Sequence, residues 1–257
     1  MPSVSLIKGQ KIDLTKTHPG LTTIRVGLGW DINPSGGAVF DLDASAFLLN
    51  ASGKCIQEED FIFYNNPIDP QEAVFYSGDN RVGSADAEQI WVDLTRVSDY
   101  VDKIVFAITI HEAVKRGQHF GQVSNAFVQV SDHVNEAELL RFDLGQEFSG
   151  ETAIVASEIY RHKGDWKFNA IGKGFLGGLE ALCQNFGVAS TGKTKSRGQT
   201  KTISVKVPIQ EYQQLTALAG LYQTTLPQLS LRFLREEAKK RDTEIQRIIK
   251  DRENIRQ

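Results

Sequence analysis

The chain reads as a mainly β protein, an antiparallel β-sandwich over residues 1–188 followed by a small strand-helix-helix module. Three observations predict this. Short apolar runs of strand length recur between turn residues from Ile24 to Ile171. Several alternate with a period of two, as Ile24, Val26 and Leu28 do against Arg25 and Gly27, which is the pattern of a strand with one buried face. Beyond residue 200 one more alternating run gives way to helical spacing. With 257 residues, 40% of them apolar, the chain can bury a real core in one large domain or two smaller ones.

Taken in order, Val4, Leu6, Ile12 and Leu14 flank Lys8-Gly9-Gln10 and predict a short opening hairpin. The strand from Ile24 ends at Trp30-Asp31, before a turn containing Asn33, Pro34, Ser35, Gly36 and Gly37. A second hairpin is expected there, with Phe40 to Leu49 as its return arm. On that arm Phe40, Leu42 and Ala44 face one way, and Asp41, Asp43 and Ser45 the other, so two carboxylates stand about 7 Å apart on one sheet face. Asp60 to Tyr64 forms a strand leading into Asn65-Asn66-Pro67. Val74-Phe75-Tyr76 runs into a loop over residues 77–88, and Ile90 to Leu94 resumes the strand pattern. Lys103 to Ile110 is almost continuously apolar, as a central strand covered on both faces would be. Asn125 to Val130, Leu139 to Leu144, Thr152 to Arg161 and Trp166 to Ile171 supply the remaining strands.

Paired carboxylates such as Asp41 and Asp43 repel one another, and a hard cation such as Ca²⁺, which takes six to eight oxygen ligands, relieves that repulsion. The loop over residues 77–88, rich in glycine and acidic residues, is of the kind that wraps such an ion, although it lacks EF-hand spacing. A solvated outer sheet face is the other explanation of alternating Asp.

Other chemistries are poorly served. Cys55 and Cys183 lack CxxC spacing and are expected to be buried free thiols. No eighteen consecutive apolar residues occur, and MPSVSLIKGQKIDL carries no secretory signal, so no membrane span and a cytoplasmic location are expected. Residues 172–177 fit GxGxxG, but Lys193-Thr194-Lys195 stands where an acidic ribose ligand belongs. Residues 187–194 fit GxxxxGK[ST], but a helix precedes them and a polar linker follows. His111-Glu112 begins no complete HExxH, and GxSxG is absent. The expectation is therefore a protein without catalytic activity. The alternative, a metal-dependent enzyme using the acidic loops, lacks a convincing acid, base or nucleophile beside them.

In order along residues 3–188 the chain carries KGQKIDLTKTHPGLTTIRVGLGWD, FDLDASAFLLN, DFIFYNN, SGDNRVG, VDKIVFAITIHEA, GQHFGQVSNAFVQV, EIYRHKGDWKF and IGKGFLGGLEALCQNFGV. In these motifs it resembles the TerD family of tellurite-resistance and stress proteins. The resemblance implies a cytosolic β-sandwich that binds calcium through acidic loops at one end. It also implies roles in tellurite, phage and general stress resistance, with other stress-resistance proteins as partners. The ligands implied are Asp31, Asp41 or Asp43, Asn65 or Asn66, Asp79, Asp86 and Glu88, with backbone carbonyls from Asn80 to Gly83. One departure stands out: after Gly78-Asp79-Asn80 the loop is two residues shorter than the family's usual form and has fewer carboxylates, which weakens one of the two calcium sites implied.

Charge is divided along the chain. Residues 189–257 hold 14 Lys and Arg against 7 Asp and Glu, a net +7, while residues 1–188 hold 15 against 25, a net −10; together they give −3. A polyanion is the expected partner of such a basic end. Residues 189–200, rich in Ser, Thr, Gly and Lys, read as a flexible linker. Lys201 to Pro208 alternates Ile203, Val205 and Val207 against Thr202, Ser204 and Lys206. One helix carries Tyr212, Leu215, Leu218, Ala219 and Tyr222; a second opens at Thr224-Thr225 with Pro227 in its first turn. This unit, residues 201–241, is too small to bury a core alone and resembles a ribbon-helix-helix module of the CopG/Arc kind, made by two chains pairing their single strands. The resemblance implies a homodimer whose Thr202, Ser204 and Lys206 face the DNA major groove, with the amides of Thr224 and Thr225 on a phosphate and Lys201 adding attraction. A dimerisation module without DNA fits the same pattern. Residues 242–257 continue as a charged helical extension.

Overall fold

The computed structural model describes residues 3–31, 40–79, 88–145 and 147–188, together with Leu215, Ser230, Phe233, Leu234, Lys240 and Arg241. The chain divides into two compact units, Met1–Thr200 and Lys201–Gln257. In the second, Leu215, Ser230, Phe233, Leu234 and Lys240 are helical; the expected strand over 202–207 lies outside the described residues, as do Lys201, Thr202, Ser204, Lys206, Thr224 and Thr225. No helix among the described residues is long and apolar enough to cross a membrane.

The first unit is built from β1 (Val4–Leu6), β2 (Lys11–Asp13), β3 (Thr23–Asp31), β4 (Leu42–Leu49), β5 (Phe61–Ile62), β6 (Val74–Asp79), β7 (Glu88–Asp93), β8 (Lys103–Ile110), β9 (Ser124–Asp132), β10 (Glu138–Asp143), β11 (Ala153–His162) and β12 (Asp165–Phe175), with two helices, α1 (Ala113–Arg116) and α2 (Gly178–Phe186). The strands form two six-stranded sheets, ordered β1-β10-β9-β3-β7-β6 and β2-β12-β11-β8-β4-β5. Alternation explains how they stack. Ile24, Val26 and Leu28 of β3 and Ile90 and Val92 of β7 turn inward to meet Ala44, Ala46 and Leu48 of β4 and Phe106 and Ile108 of β8 in one continuous core.

The second sheet is covered on both faces where α2 lies on it. There its outer side carries Phe47, Leu49, Val105, Ala107 and Val155 under Leu182, Cys183 and Phe186 of α2, so β8 is apolar on both faces from Ile104 to Ile108 and reads as a nearly continuous apolar run. Spacing within α2 places those three residues on one stripe, and Gly187 ends the helix at φ 77° with its N–H on the Cys183 and Gln184 carbonyls. Both cysteines are buried free thiols, as expected.

Three expectations are corrected. The opening strands form no hairpin: β1 pairs with β10 and β2 with β12, in opposite sheets. Nor do β3 and β4, since β3 lies between β7 and β9 and β4 between β5 and β8. The ten-residue connection between Asp31 and Leu42 is longer than hairpin loops usually are and long enough to cross from one sheet to the other. Finally, the sandwich is not wholly antiparallel, because β1 runs parallel to β10. Alternation reveals which face of a strand is buried, and it is silent on which strand lies beside it.

Candidate metal-binding rim

The connections that carry Asp41 and Asp86 leave the sandwich at one end. β3 ends there at Asp31 and β6 at Asp79, while β4 begins at Leu42, β7 at Glu88 and β9 at Ser124. The registers fix this placement: Leu28 and Asp79 both sit opposite Glu88, Asp31 opposite Ser124, and Leu42 opposite Ile110 at the end of β8. The pairing slips between Gly29 and Asp31 and again between Tyr76 and Asp79. Both irregularities fall at the rim, where a bulge re-aims the residues that follow.

Glu88 is the best-defined acidic group at this rim. It is only 5% exposed, and its carboxylate accepts hydrogen bonds from the Tyr76 hydroxyl at 2.8 Å and from the backbone N–H of Ala44. Glu88 and Tyr76 belong to one sheet and Ala44 to the other, so the carboxylate spans the sandwich. Such charge-assisted bonds offset part of the cost of burying the group and fix its direction.

Asp43 points to the other side of β4. Its neighbours Leu42 and Ala44 belong to the inter-sheet core, whereas Asp43 shares the outer face with Thr109, which it pairs with on β8. Burial and the nearby Asp41 carboxylate raise its carboxyl above the usual range, and His111, whose Nδ1 lies 3.8 Å away, opposes the rise. Asp41 is exposed and faces Arg116 at 3.8 Å. Asn66 donates its side-chain N–H groups to the carbonyls of Glu59 and Phe61, at 3.3 and 2.7 Å. Asn65 is exposed beside it.

The described backbone therefore brings Asp31, Asp79 and Glu88 to one edge of one sheet, while Asp41 and Asp43 leave from the opposite face of β4. Asn80, Gly83 and Asp86 lie outside the described residues. Among the described residues, no three His, Cys, Asp or Glu side chains come together as a metal-binding group. Sequence reasoning missed Tyr76 and the Ala44 amide as partners of Glu88. Tyr76 and Ile90 share the inner face, which was legible from alternation, but a cross-sheet bond to a backbone N–H leaves no mark in a sequence. The first two glycines of the GxGxxG match, Gly172 and Gly174, lie within β12 and not in a strand-to-helix turn. A Cβ on Gly174 would stand 2.4 Å from Glu151 Cγ, so close packing accounts for that glycine.

Comparison with known proteins is consistent over this unit. Residues 2–186 match the TerD domain model. The chain is 57% identical over 189 residues to Uncharacterized protein YceE of Bacillus subtilis, covering 72% of this chain and 98% of that one. Over the same length and shares it is 53% identical to General stress protein 16U of the same organism. It is also 47% identical over 188 residues to Tellurium resistance protein TerD of Serratia marcescens, again across 72% and 98% of the two chains.

Proposed function

The chain belongs to the TerD domain family, and from that premise we propose that it is a calcium-binding protein of tellurium and general stress resistance, without catalytic activity of its own. Relatives named as a general stress protein and a tellurium resistance protein support the stress role. What carries the calcium reading is the convergence of Asp31, Asp79 and Glu88 on adjacent strands at one rim, from which connections 32–41 and 80–87, carrying Asp41 and Asp86, both leave. Hard oxygen donors on neighbouring strand ends are what Ca²⁺ requires. In this reading Asp31, Asp79 and Glu88 bind together with Asp86 and the carbonyls of Asn80 to Gly83, while Asp41 and Asp43 face Arg116 and His111 instead. A thermal melt in excess CaCl₂ against EGTA tests it, because a ligand bound only by the folded state stabilises it by about 2.7 kcal/mol at a hundredfold excess over Kd. Equal midpoints in the two buffers would defeat the reading.

The basic end adds a second part. Residues 201–241 pair two chains through a ribbon-helix-helix arrangement, and Lys201, Thr202, Ser204, Lys206, Thr224 and Thr225 hold DNA. The +7 charge of residues 189–257 supports it. The full chain is expected to sediment as a dimer, with Lys206→Ala weakening DNA binding; a monomer at every concentration would refute the pairing.

A further inference from the structure

A cavity of about 360 Å³ opens on the outer face of the second sheet, in front of the first turn of α2. Three adjacent strands supply its floor, through Asp43 from β4, Thr109 from β8 and Thr152 at the start of β11. The segment around α1 forms one wall, and Gly177, Gly178 and Leu179 form the other.

One end of this cavity is suited to an anion. The nine-residue helix α2 has no side-chain cap, because Gly177 precedes it, so its leading N–H groups and the positive end of its dipole face the cavity. Beside them lies Thr152, only 8% exposed, whose hydroxyl has no hydrogen-bond partner among the described residues. A Cβ at Gly178 would stand 3.7 Å from that hydroxyl oxygen, which places it against the first helical turn. A buried hydroxyl left unpaired is destabilising, and an acceptor on a ligand would recover that loss.

The other end is suited to a cation. Asp43 accepts no hydrogen bond among the described residues, and His111 at 3.8 Å is too distant to give one. Lys115, the lysine in the wall, is already bound to Glu112 at 3.1 and 3.2 Å. Asp43 pairs with Thr109, which pairs with Ala153 next to Thr152, so the two ends lie about two strand spacings, roughly 10 Å, apart. Subtracting a hydrogen-bond length at each end leaves about 4 Å between the charged groups of a ligand. Ile110 and Leu179 line the space between.

We propose that this cavity binds a small zwitterion, its carboxylate on the first turn of α2 and the Thr152 hydroxyl and its ammonium on Asp43. A plain anion would meet Asp43 and Glu112, and a plain cation would meet the positive end of α2. The site stands apart from the calcium reading and does not depend on it. The test follows backbone amide resonances of the full chain, with calcium and with EGTA, during titration with 4-aminobutanoate, glycylglycine, butanoate and butylamine. At least one of the two zwitterions should shift the Gly178 and Leu179 amides saturably, with Kd on the order of 1 mM, and butanoate and butylamine should bind about tenfold more weakly or worse. Thr152→Val should weaken binding about fivefold, while Thr152→Ser, which keeps the hydroxyl, should not. The proposal is overturned if neither zwitterion binds, if either half-molecule binds as well as the whole, or if Thr152→Val leaves the affinity unchanged.

Discussion

Replacing Glu88 by alanine is expected to be among the most damaging single changes at the rim, and its cost can be worked from the contacts. The carboxylate is buried and serves two donors, the Tyr76 hydroxyl and the Ala44 amide, in different sheets. Alanine removes both of these bonds. At about 1.5–3 kcal/mol for each bond to a charged acceptor, the loss is roughly 3–6 kcal/mol. Tyr76→Phe removes one donor and leaves the other bond intact, so it should cost only about 1.5–3 kcal/mol. Urea unfolding in EGTA isolates this structural part from any bound metal. Trp30, Trp91 and Trp166, the three tryptophans of the chain, all lie in the Met1–Thr200 unit, so their fluorescence reports that unit in the intact protein. A Glu88→Ala loss below about 1 kcal/mol would refute the cross-sheet role, and strict additivity of the two substitutions in a double-mutant cycle would refute the bond between Tyr76 and Glu88.

Two further substitutions probe the outer layer. Phe47 is fully buried and packs on Phe61 and Phe186, with ring centroids 4.6 and 4.7 Å away; Phe47→Ala should cost about 3–5 kcal/mol by the same fluorescence measurement, and a loss under about 1 kcal/mol would contradict the packing of α2 on this sheet. Burial pushes the Cys55 thiol up to about 12, with Asp60 and Cys183 adding to the rise. Folding thus favours the neutral thiol, and its contribution to stability is complete below the ordinary value of 9.0 and is lost as pH climbs towards 12. Between those limits Cys55→Ala should lose less stability than the parent chain; identical pH slopes would count against it.

Some of this was open to reading from the residues alone. The nearly continuous apolar run of β8 announced a strand covered on both sides, and α2 does cover part of the outer one. The alternation of β3 identified Ile24, Val26 and Leu28 as inward-facing. Where the reading failed, it failed on partners. Two turn-flanked pairs, Val4 to Leu14 and Ile24 to Leu49, looked like hairpins, yet each sends its strands to opposite sheets, because the inter-sheet core makes non-local pairing more favourable than the local turn. The rim was half legible. The acidic loop carrying Asp79 and Glu88 could be read from the residues, Asp31 followed from the family resemblance, and alternation already set Asp43 on the face opposite Leu42 and Ala44; what alternation does not express is that α2 covers part of that outer face as well. Tyr76 and the Ala44 amide, the groups that hold Glu88, come together only through the stacking of the two sheets.

Native mass spectrometry of the full chain tests calcium binding at the rim most directly, because it counts bound metal and subunits in one spectrum. Calcium-loaded protein is expected to carry at least one Ca²⁺ per subunit that EGTA removes and that Asp79→Asn, at the open end of β6, diminishes. Spectra free of calcium adducts beyond those of a non-binding control protein, or adducts unchanged by Asp79→Asn, would contradict it.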